Sequence, residues 1–234
     1  MLWLLKSIYF YDSKGSTMTN LVKAIDNKFG KGFAYHINTL IQQYRQTQEL
    51  MLFDEFKFEV IHHQTFGDID KNYWQRQTLV LLLSKEFKKT DTPLTRWLIL
   101  EFCQNIEKGF WVDLRSVMAL LGFMLYKHMD NDDLPVLYQT KFGACSDSRY
   151  SVDIEIILGF GIEQTLDYLN QHKKQNTVYK EMIATIKHYN SHKTKPFRTY
   201  KEYCHFFEQH RLLIHQEEIM GDCGFLTDSI NEIK

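Results

Sequence analysis

Apolar residues recur every three or four positions along most of this chain, and that spacing is typical of amphipathic helices. In the first clear run they are Leu21, Val22, Ile25 and Phe29. Gly30 follows directly, at a place where a glycine in a left-handed conformation commonly ends a helix. A second run through residues 33–52 repeats the spacing. The pattern predicts two consecutive helices with a glycine turn between them.

The middle of the chain predicts three more helices. Residues 72–89 include an unbroken apolar run, LVLLL at 79–83, which cannot lie on one stripe of a helix, so we expect this helix to be buried on most sides. Thr92 and Pro93 form the next start signal, as N-cap and first helical residue. The two helices that follow are expected to be antiparallel. Their predicted core residues are Trp97, Phe102, Val117, Leu121 and Leu125.

The stretch FDEFKFEVIHH, residues 53–63, is compatible with both a strand and a helix, because Phe56, Phe58 and Val60 alternate with other residues. We favour a helix here, since the neighbouring segments are helical. The overlapping stretch IHHQTFGDIDKNYW, residues 61–74, is then interpreted as a helix end, a polar loop and the start of a new helix.

The last part of the chain predicts further helices with clear boundaries. One begins after Asp132 or Asp133, with Pro135 in its first turn. Another covers about residues 176–189. Thr199 and Glu202 match a capping box, in which each residue bonds to the backbone N–H of the other at a helix start.

These elements predict a main helical domain over residues 1–190, a polar linker over 191–198 and a C-terminal helical segment over 199–234. The C-terminal segment is expected to pack on the main domain, because so short a piece cannot bury a core alone. Residues 1–17 are left as an upstream extension, with Met1 and Met18 both open as the first residue of the protein.

The predicted fold class is all-α, with at least eight helices in antiparallel pairs that form an irregular HEAT-like or helical-bundle array. Only 3 Pro and 11 Gly occur in 234 residues, too few turn residues for an all-β sandwich. No repeat of fixed period is found in the sequence, so a regular solenoid is not predicted.

Charge is balanced over the whole chain but not along it. The net charge is −1, so no overall field attracts nucleic acid. Residues 101–160 hold nine acids and five bases, whereas residues 161–212 hold five acids and nine bases. Four widely spaced cysteines without a C-x-x-C pair predict reduced thiols in the cytoplasm.

Residues 134–169 read LPVLYQTKFGACSDSRYSVDIEIILGFGIEQTLDYL. The segment resembles one in uncharacterised bacterial all-helical proteins, and PLTRWLILEF resembles the helix before it there, so the similarity covers residues 93–169. The positions that carry it are Leu137, Lys141, Phe142, Asp147, Asp153, Leu158, Gly159, Gly161, Thr165, Leu166 and Leu169. The resemblance implies an all-α fold and a bacterial source, and it implies no activity.

His62 and His63, followed by Asp68 and Asp70, have the residue types of a metal-dependent phosphohydrolase, and His36 would be an upstream ligand. Consecutive histidines on a helix point about 100° apart and do not easily share a metal. We therefore predict a polar joint rather than a metal site, and keep the phosphohydrolase as a second alternative.

Other catalytic and metal patterns are weak. His188 and His192 stand four apart, the spacing of a zinc-binding pair on one helix face, but His192 is expected beyond the helix end. The chain has no G-x-S-x-G, Walker or G-x-G-x-x-G motif. No cofactor is predicted, and enzymatic activity is left open but ranked below binding.

By elimination, the sequence predicts a cytoplasmic protein-interaction module without membrane attachment. We expect an immunity or antitoxin-type protein that blocks a basic toxin through acidic residues. The candidates are Asp130, Asp132, Asp133, Asp147, Asp153 and Glu155. The alternative is nucleic-acid binding, ranked below a protein partner, through the basic residues of the 173–201 region. Its candidates are Lys173, Lys174, Lys187, Lys193, Lys195 and Arg198.

Overall fold

The computed structural model of the chain describes residues 17–110, 112–143, 148–174 and 176–225. Asp147, most of the expected upstream extension and the end of the C-terminal segment lie outside the described residues.

The described chain is all-α except for one β-hairpin, which confirms the predicted fold class. The α-helices are α1 (Thr17–Phe29), α2 (Phe33–Thr47), α3 (Tyr73–Lys85), α4 (Thr92–Glu107), α5 (Arg115–His128), α6 (Leu134–Phe142), α7 (Ser148–Ser151), α8 (Ile162–His172), α9 (Val178–His192), α10 (Tyr200–His210) and α11 (Leu212–Asp222). The 3-10 helices are Leu50–Phe56, Lys89–Asp91, Asn131–Asp133 and Ile154–Leu158. The strands are β1 (Val60–His63) and β2 (Gly67–Asp70). Within these residues, no helix is long and apolar enough to span a bilayer.

Helix α5 lies at the centre of the fold, and α3, α4, α6, α10 and α11 all pack against it. The predicted core residues Phe102, Val117, Leu121 and Leu125 are buried, while Trp97 is half-buried. All of residues 79–83 in α3 are buried, as expected for a helix enclosed on most sides. A Cβ on Gly122 would lie 3.1 Å from Thr140 Cγ2, so the glycine permits the close approach of α6.

Two buried aspartates are held by arginines from earlier helices in the same way. Arg45 of α2 binds both carboxylate oxygens of Asp91, through Nε at 2.9 Å and Nη2 at 2.7 Å. Arg96 of α4 binds both oxygens of Asp133, with Nη2 at 3.0 Å. We call each pair an arginine–aspartate clasp. The first clasp joins α2 to the start of α4, and the second joins α4 to the start of α6.

The two clasps also share their local backbone. Asp91 and Asp133 each end a 3-10 turn and accept a hydrogen bond from the N–H three residues earlier, at 2.8 and 3.0 Å. Each is the N-cap residue of the next helix, which has a proline in its first turn. The expected N-cap at Thr92 is thus shifted by one residue, because the Asp91 side chain closes the preceding turn.

The prediction of a helix over residues 53–63 is wrong. The segment is a 3-10 helix, with Phe53 and Phe56 buried, followed by strand β1, which pairs with β2 in an antiparallel hairpin. The polar joint expected over residues 61–74 is therefore this hairpin and not a helix end. Its tip exposes Phe66, whose side chain is 75% accessible. The alternation of apolar residues correctly indicated a strand. The prediction of a helix came from giving more weight to the helical neighbouring segments.

The C-terminal helices begin at the predicted capping box. Thr199 Oγ1 accepts from the Glu202 N–H at 3.4 Å, and Glu202 Oε2 accepts from the Thr199 N–H at 2.8 Å. Helix α9 continues to His192, so the connecting segment covers residues 193–199 rather than beginning at 191. Helices α10 and α11 pack against α5, and α11 also packs against α3.

Replacing Thr199 with alanine is expected to lower the free energy of unfolding by about 1 kcal/mol, because one N-terminal N–H of α10 loses its side-chain acceptor. Urea unfolding followed by circular dichroism measures the change. Thr194→Ala, at an exposed position in the connecting segment, is the matched control and should change the free energy by less than about 0.5 kcal/mol. Equal effects of the two substitutions would contradict the capping role.

Candidate binding surfaces

The five acidic candidates that lie among the described residues do not form one surface. Asp133 is fully buried in its clasp with Arg96. Glu155 is also buried, and its Oε1 accepts from Arg198 Nη1 at 2.8 Å. Both carboxylates stabilise the fold from inside and are not accessible to a partner.

The other three acidic candidates within the described residues are scattered. Asp130 is exposed and its Oδ2 lies 3.5 Å from Arg96 Nη2. Asp132 is exposed and accepts from the Tyr168 hydroxyl at 2.8 Å. Asp153 is half-buried and accepts from the Tyr203 hydroxyl at 3.2 Å. Among the described candidates, only Asp130 and Asp132 therefore remain as an accessible acidic pair, and Arg96 partly neutralises the charge of this pair.

A different acidic cleft lies between the start of α5 and helix α11. Its volume is about 400 Å³, and its lining residues are Asp113, Arg115, Ser116, Ile214, Glu217, Glu218, Gly221 and Asp222. We call it the acidic cleft. It contains four carboxylates and one cation, Arg115. Sequence reasoning missed it because Asp113 and the glutamates of α11 are about a hundred positions apart, and only the packing of α11 on α5 unites them.

The carboxylates of the acidic cleft differ in their surroundings. Hydrogen bonds from Arg115 lower the pKa of Asp113. The pKa of Asp222 is raised, first by burial and then by the negative charge of Asp113. Arg115 thus mainly neutralises Asp113. The surroundings of Asp222 disfavour its ionised form.

Glu218 is held in place by two neutral partners. Its Oε2 accepts a hydrogen bond from Ser116 Oγ and lies 3.3 Å from His215 Nδ1. Burial lowers the pKa of His215, so the imidazole is neutral at pH 7 and does not cancel the glutamate charge. The acidic cleft therefore keeps a net negative charge near neutral pH.

An exposed apolar pair adjoins the acidic cleft. Leu213 and Ile214, in the first turn of α11, are 44% and 45% accessible. Ile214 lines the cleft itself. Large aliphatic side chains beside carboxylates are a composition found at protein-binding surfaces, where charge attracts the partner and apolar contact retains it.

The six basic candidates divide into separate groups. Lys173 and Lys174 follow the end of α8, just before α9 begins, whereas Lys193, Lys195 and Arg198 follow the end of α9. Helix α9 has 15 residues and is about 22 Å long, so the two groups lie at opposite ends of it. Lys187 is exposed on α9 itself.

The second group lines a larger cleft of about 690 Å³. Its lining residues are His188, Tyr189, His192, Lys193, Thr194, Lys195, Pro196, Phe197 and Arg198. We call it the basic cleft. None of these residues is acidic, and two are aromatic.

His62 and His63 do not form a metal site. They are neighbours in strand β1 and so point to opposite faces of the hairpin. His62 Nδ1 lies 2.9 Å from Asp68 Oδ1, and the His63 ring stacks on Phe66 with centroids 4.9 Å apart. Asp70 is buried elsewhere, against Arg76. The phosphohydrolase alternative therefore has no assembled metal site among these residues.

The expectation that His192 lies beyond its helix is wrong. His188 and His192 share one face of α9, with ring centroids 4.4 Å apart. His192 Nδ1 bonds to the His188 carbonyl at 2.8 Å, which fixes the ring against the helix. In the described ranges, however, no three His, Cys, Asp or Glu side chains come together as a metal site.

Comparisons with protein-family models, with curated proteins and with solved structures gave no match for this chain. The resemblance of residues 93–169 to bacterial helical proteins stays a prediction. Function is therefore inferred from the clefts, their charges and their exposed apolar side chains.

Proposed function

We propose that the protein is a binding module whose acidic cleft receives a basic segment of a partner protein. The observation that carries the proposal is the position of Leu213 and Ile214 beside the carboxylates of Glu217, Glu218 and Asp222. The biological setting we propose is a bacterial cytoplasm, in which the module blocks a basic toxin as an immunity or antitoxin-type protein.

Charge provides the attraction in this proposal. A partner lysine or arginine beside Asp222 would offset the repulsion between Asp222 and Asp113. Binding would therefore favour the ionised form of Asp222, which is disfavoured in the free protein. Complementary charge of this kind raises the rate of association and selects against acidic partners. We therefore expect affinity to fall as salt concentration rises.

Apolar contact provides the retention. Burying the exposed parts of Leu213 and Ile214 removes apolar surface from water, which stabilises a complex by about 25 cal/mol for each Å². Both residues lie in the first turn of α11, whose other face packs on the core helices α3 and α5. The pair is thus presented on a rigid element, which limits the entropy lost on binding.

The test is capture of the partner from cells that produce the protein, followed by mass spectrometry and by titration of the purified partner. The double substitution Glu217→Lys with Asp222→Lys is expected to weaken partner binding at least tenfold. The matched control, Glu163→Lys with Asp167→Lys, makes the same charge change at exposed positions of α8 and should leave affinity within about twofold.

A third double variant, Asp130→Lys with Asp132→Lys, examines the exposed part of the surface that the sequence predicted. If this variant alone abolishes capture, the partner binds beside α6 and not at the acidic cleft. Equal capture by the wild type and all three variants would contradict an acidic docking surface altogether.

A further inference from the structure

We propose that the basic cleft binds single-stranded nucleic acid, in a function separate from capture of a protein partner. The cleft is formed by the last turn of α9 and the connecting segment up to Arg198. Most of its lining residues are exposed, so it is an open surface channel across which a chain of nucleotides can pass.

The balance of charge in the basic cleft favours a phosphate backbone. Lys193, Lys195 and Arg198 contribute three positive charges to the lining. Three features oppose them: the Glu155 carboxylate, 2.8 Å from Arg198 Nη1, the Glu202 carboxylate, which also interacts with the Arg198 charge, and the C-terminal end of α9, which carries about half a negative charge. Both carboxylates act on Arg198, so Lys193 and Lys195 keep the cleft positive, and the ring nitrogens of His188 and His192 add further hydrogen-bonding groups.

The cations of the cleft are available to a ligand. Lys195 has no hydrogen-bond or ion-pair partner among the described residues, and Lys193 Nζ donates to the neutral side chain of Asn190 at 2.6 Å. The Arg198 guanidinium lies 3.8 Å from the centroid of the Phe206 ring, which fixes the orientation of its plane. An arginine held in this way retains further N–H donors for a phosphate oxygen.

Aromatic side chains distinguish a nucleic acid from other polyanions. Tyr189 and Phe197 line the cleft and are half-buried, so each is anchored while part of its ring stays accessible. Bases stack on such rings, whereas the carboxylates of an acidic peptide would use the cations alone. Rings interleaved with lysine and arginine therefore favour single-stranded RNA or DNA over an acidic peptide.

Fluorescence anisotropy with labelled oligo(U) and oligo(dT) of twelve nucleotides, at low salt, tests the proposal. Lys193→Glu with Lys195→Glu is expected to weaken binding of both probes more than tenfold, because two phosphate contacts become repulsive. Lys173→Glu with Lys174→Glu makes the same charge change at the other end of α9, so it is the matched control and should stay within about threefold.

Phe197→Leu tests stacking while keeping the number of charges in the cleft unchanged, although it also removes the ring that lies 5.8 Å from Lys193 Nζ. It is expected to weaken oligonucleotide binding about fivefold or more while leaving the binding of polyglutamate, used as a competitor of equal charge, unchanged. Circular dichroism and the unfolding midpoint of each variant confirm that the fold is intact. Glu217→Lys with Asp222→Lys should not weaken oligonucleotide binding, so failure here is distinguishable from failure of the proposed protein interaction.

Three results would overturn the proposal. The first is no binding of either oligonucleotide by the wild-type protein. The second is equal weakening by the two lysine double variants, which would mean that only total charge matters. The third is competition by polyglutamate as strong as competition by unlabelled oligonucleotide, which would identify a site for acidic polymers in general.

Discussion

Replacing Asp70 with alanine is expected to lower the free energy of unfolding by about 3–5 kcal/mol, because it leaves the Arg76 guanidinium charged, buried and without its counter-ion. Asp70 ends strand β2 and Arg76 lies in α3, and both side chains are almost completely inaccessible. The Asp70 carboxylate also accepts from Asn105 Nδ2 at 3.0 Å and from the Asn72 N–H at 3.1 Å. The substitution thus breaks the link between the hairpin, α3 and α4.

Urea unfolding monitored by circular dichroism measures this loss. Asp68→Ala removes a carboxylate from the same strand, but that side chain is 61% exposed and its partner is His62, so we expect a change below about 1 kcal/mol. The double variant Asp70→Ala with Arg76→Met should lose less free energy of unfolding than the sum of the two single variants, because it leaves no buried charge without a partner. A loss below about 1 kcal/mol for Asp70→Ala would refute the anchoring role.

The second large effect is expected at the arginine–aspartate clasps. Asp91→Ala should lower the free energy of unfolding by about 3 kcal/mol or more, because the buried Arg45 guanidinium loses a bidentate partner and the Lys88 N–H loses its acceptor. Asp133→Ala should cause a smaller loss of about 2 kcal/mol, because the Asp130 N–H loses its acceptor but Arg96 is 34% exposed and still lies 3.5 Å from the Asp130 carboxylate.

Glu86→Ala is the control for the clasps. Glu86 also contacts Arg45, with Oε2 3.3 Å from Nη1, but its side chain is exposed, so we expect a loss below about 1 kcal/mol. Chemical unfolding of the three variants under one set of conditions compares them directly. Similar small losses in all three would show that the buried carboxylates are not structural supports.

Local signals in the sequence predicted the helix boundaries that depend on a few neighbouring residues. Gly30 has a φ of +107° just after α1, and Thr199 and Glu202 form the expected capping box. These features act within one turn of helix, so they can be recognised without knowledge of the fold. The burial of residues 79–83 follows in the same way from an apolar run too wide for one face.

The hairpin was not predicted because the alternating apolar residues before it belong partly to a 3-10 helix and partly to a strand. The alternating apolar residues of 53–60 begin in a 3-10 helix, where Phe53 and Phe56 enter the core, and only then continue as a strand. Gly67, with a φ of +71° at the start of β2, was the available turn signal. Weighing this glycine together with the alternation would have favoured strand over helix.

The binding surfaces were only partly predictable, since each depends on contacts between distant residues. The block of acids over 101–160 gave no indication that Asp133 is buried by Arg96 or that Glu155 is buried beside Arg198. The repeated spacing Asp-x-Pro at Asp91 and Asp133 was a signal for buried caps that could have been used. The basic candidates lie in one region of the sequence, but the 15 residues of α9 separate Lys173 and Lys174 from Lys193, Lys195 and Arg198 in space.

The two arginine–aspartate clasps have a consequence for how this chain tolerates changes of length. Arginine and aspartate are 46 positions apart in the first clasp and 37 in the second. The first interval contains the hairpin and the second does not, yet the same geometry closes both. The hairpin thus lies within the first of two intervals that are closed by the same kind of clasp. Shortening or extending its tip beyond the Asp70 anchor should leave the order and spacing of the helices unchanged, which makes residues 64–66 a natural place for sequence drift or for grafting a foreign loop.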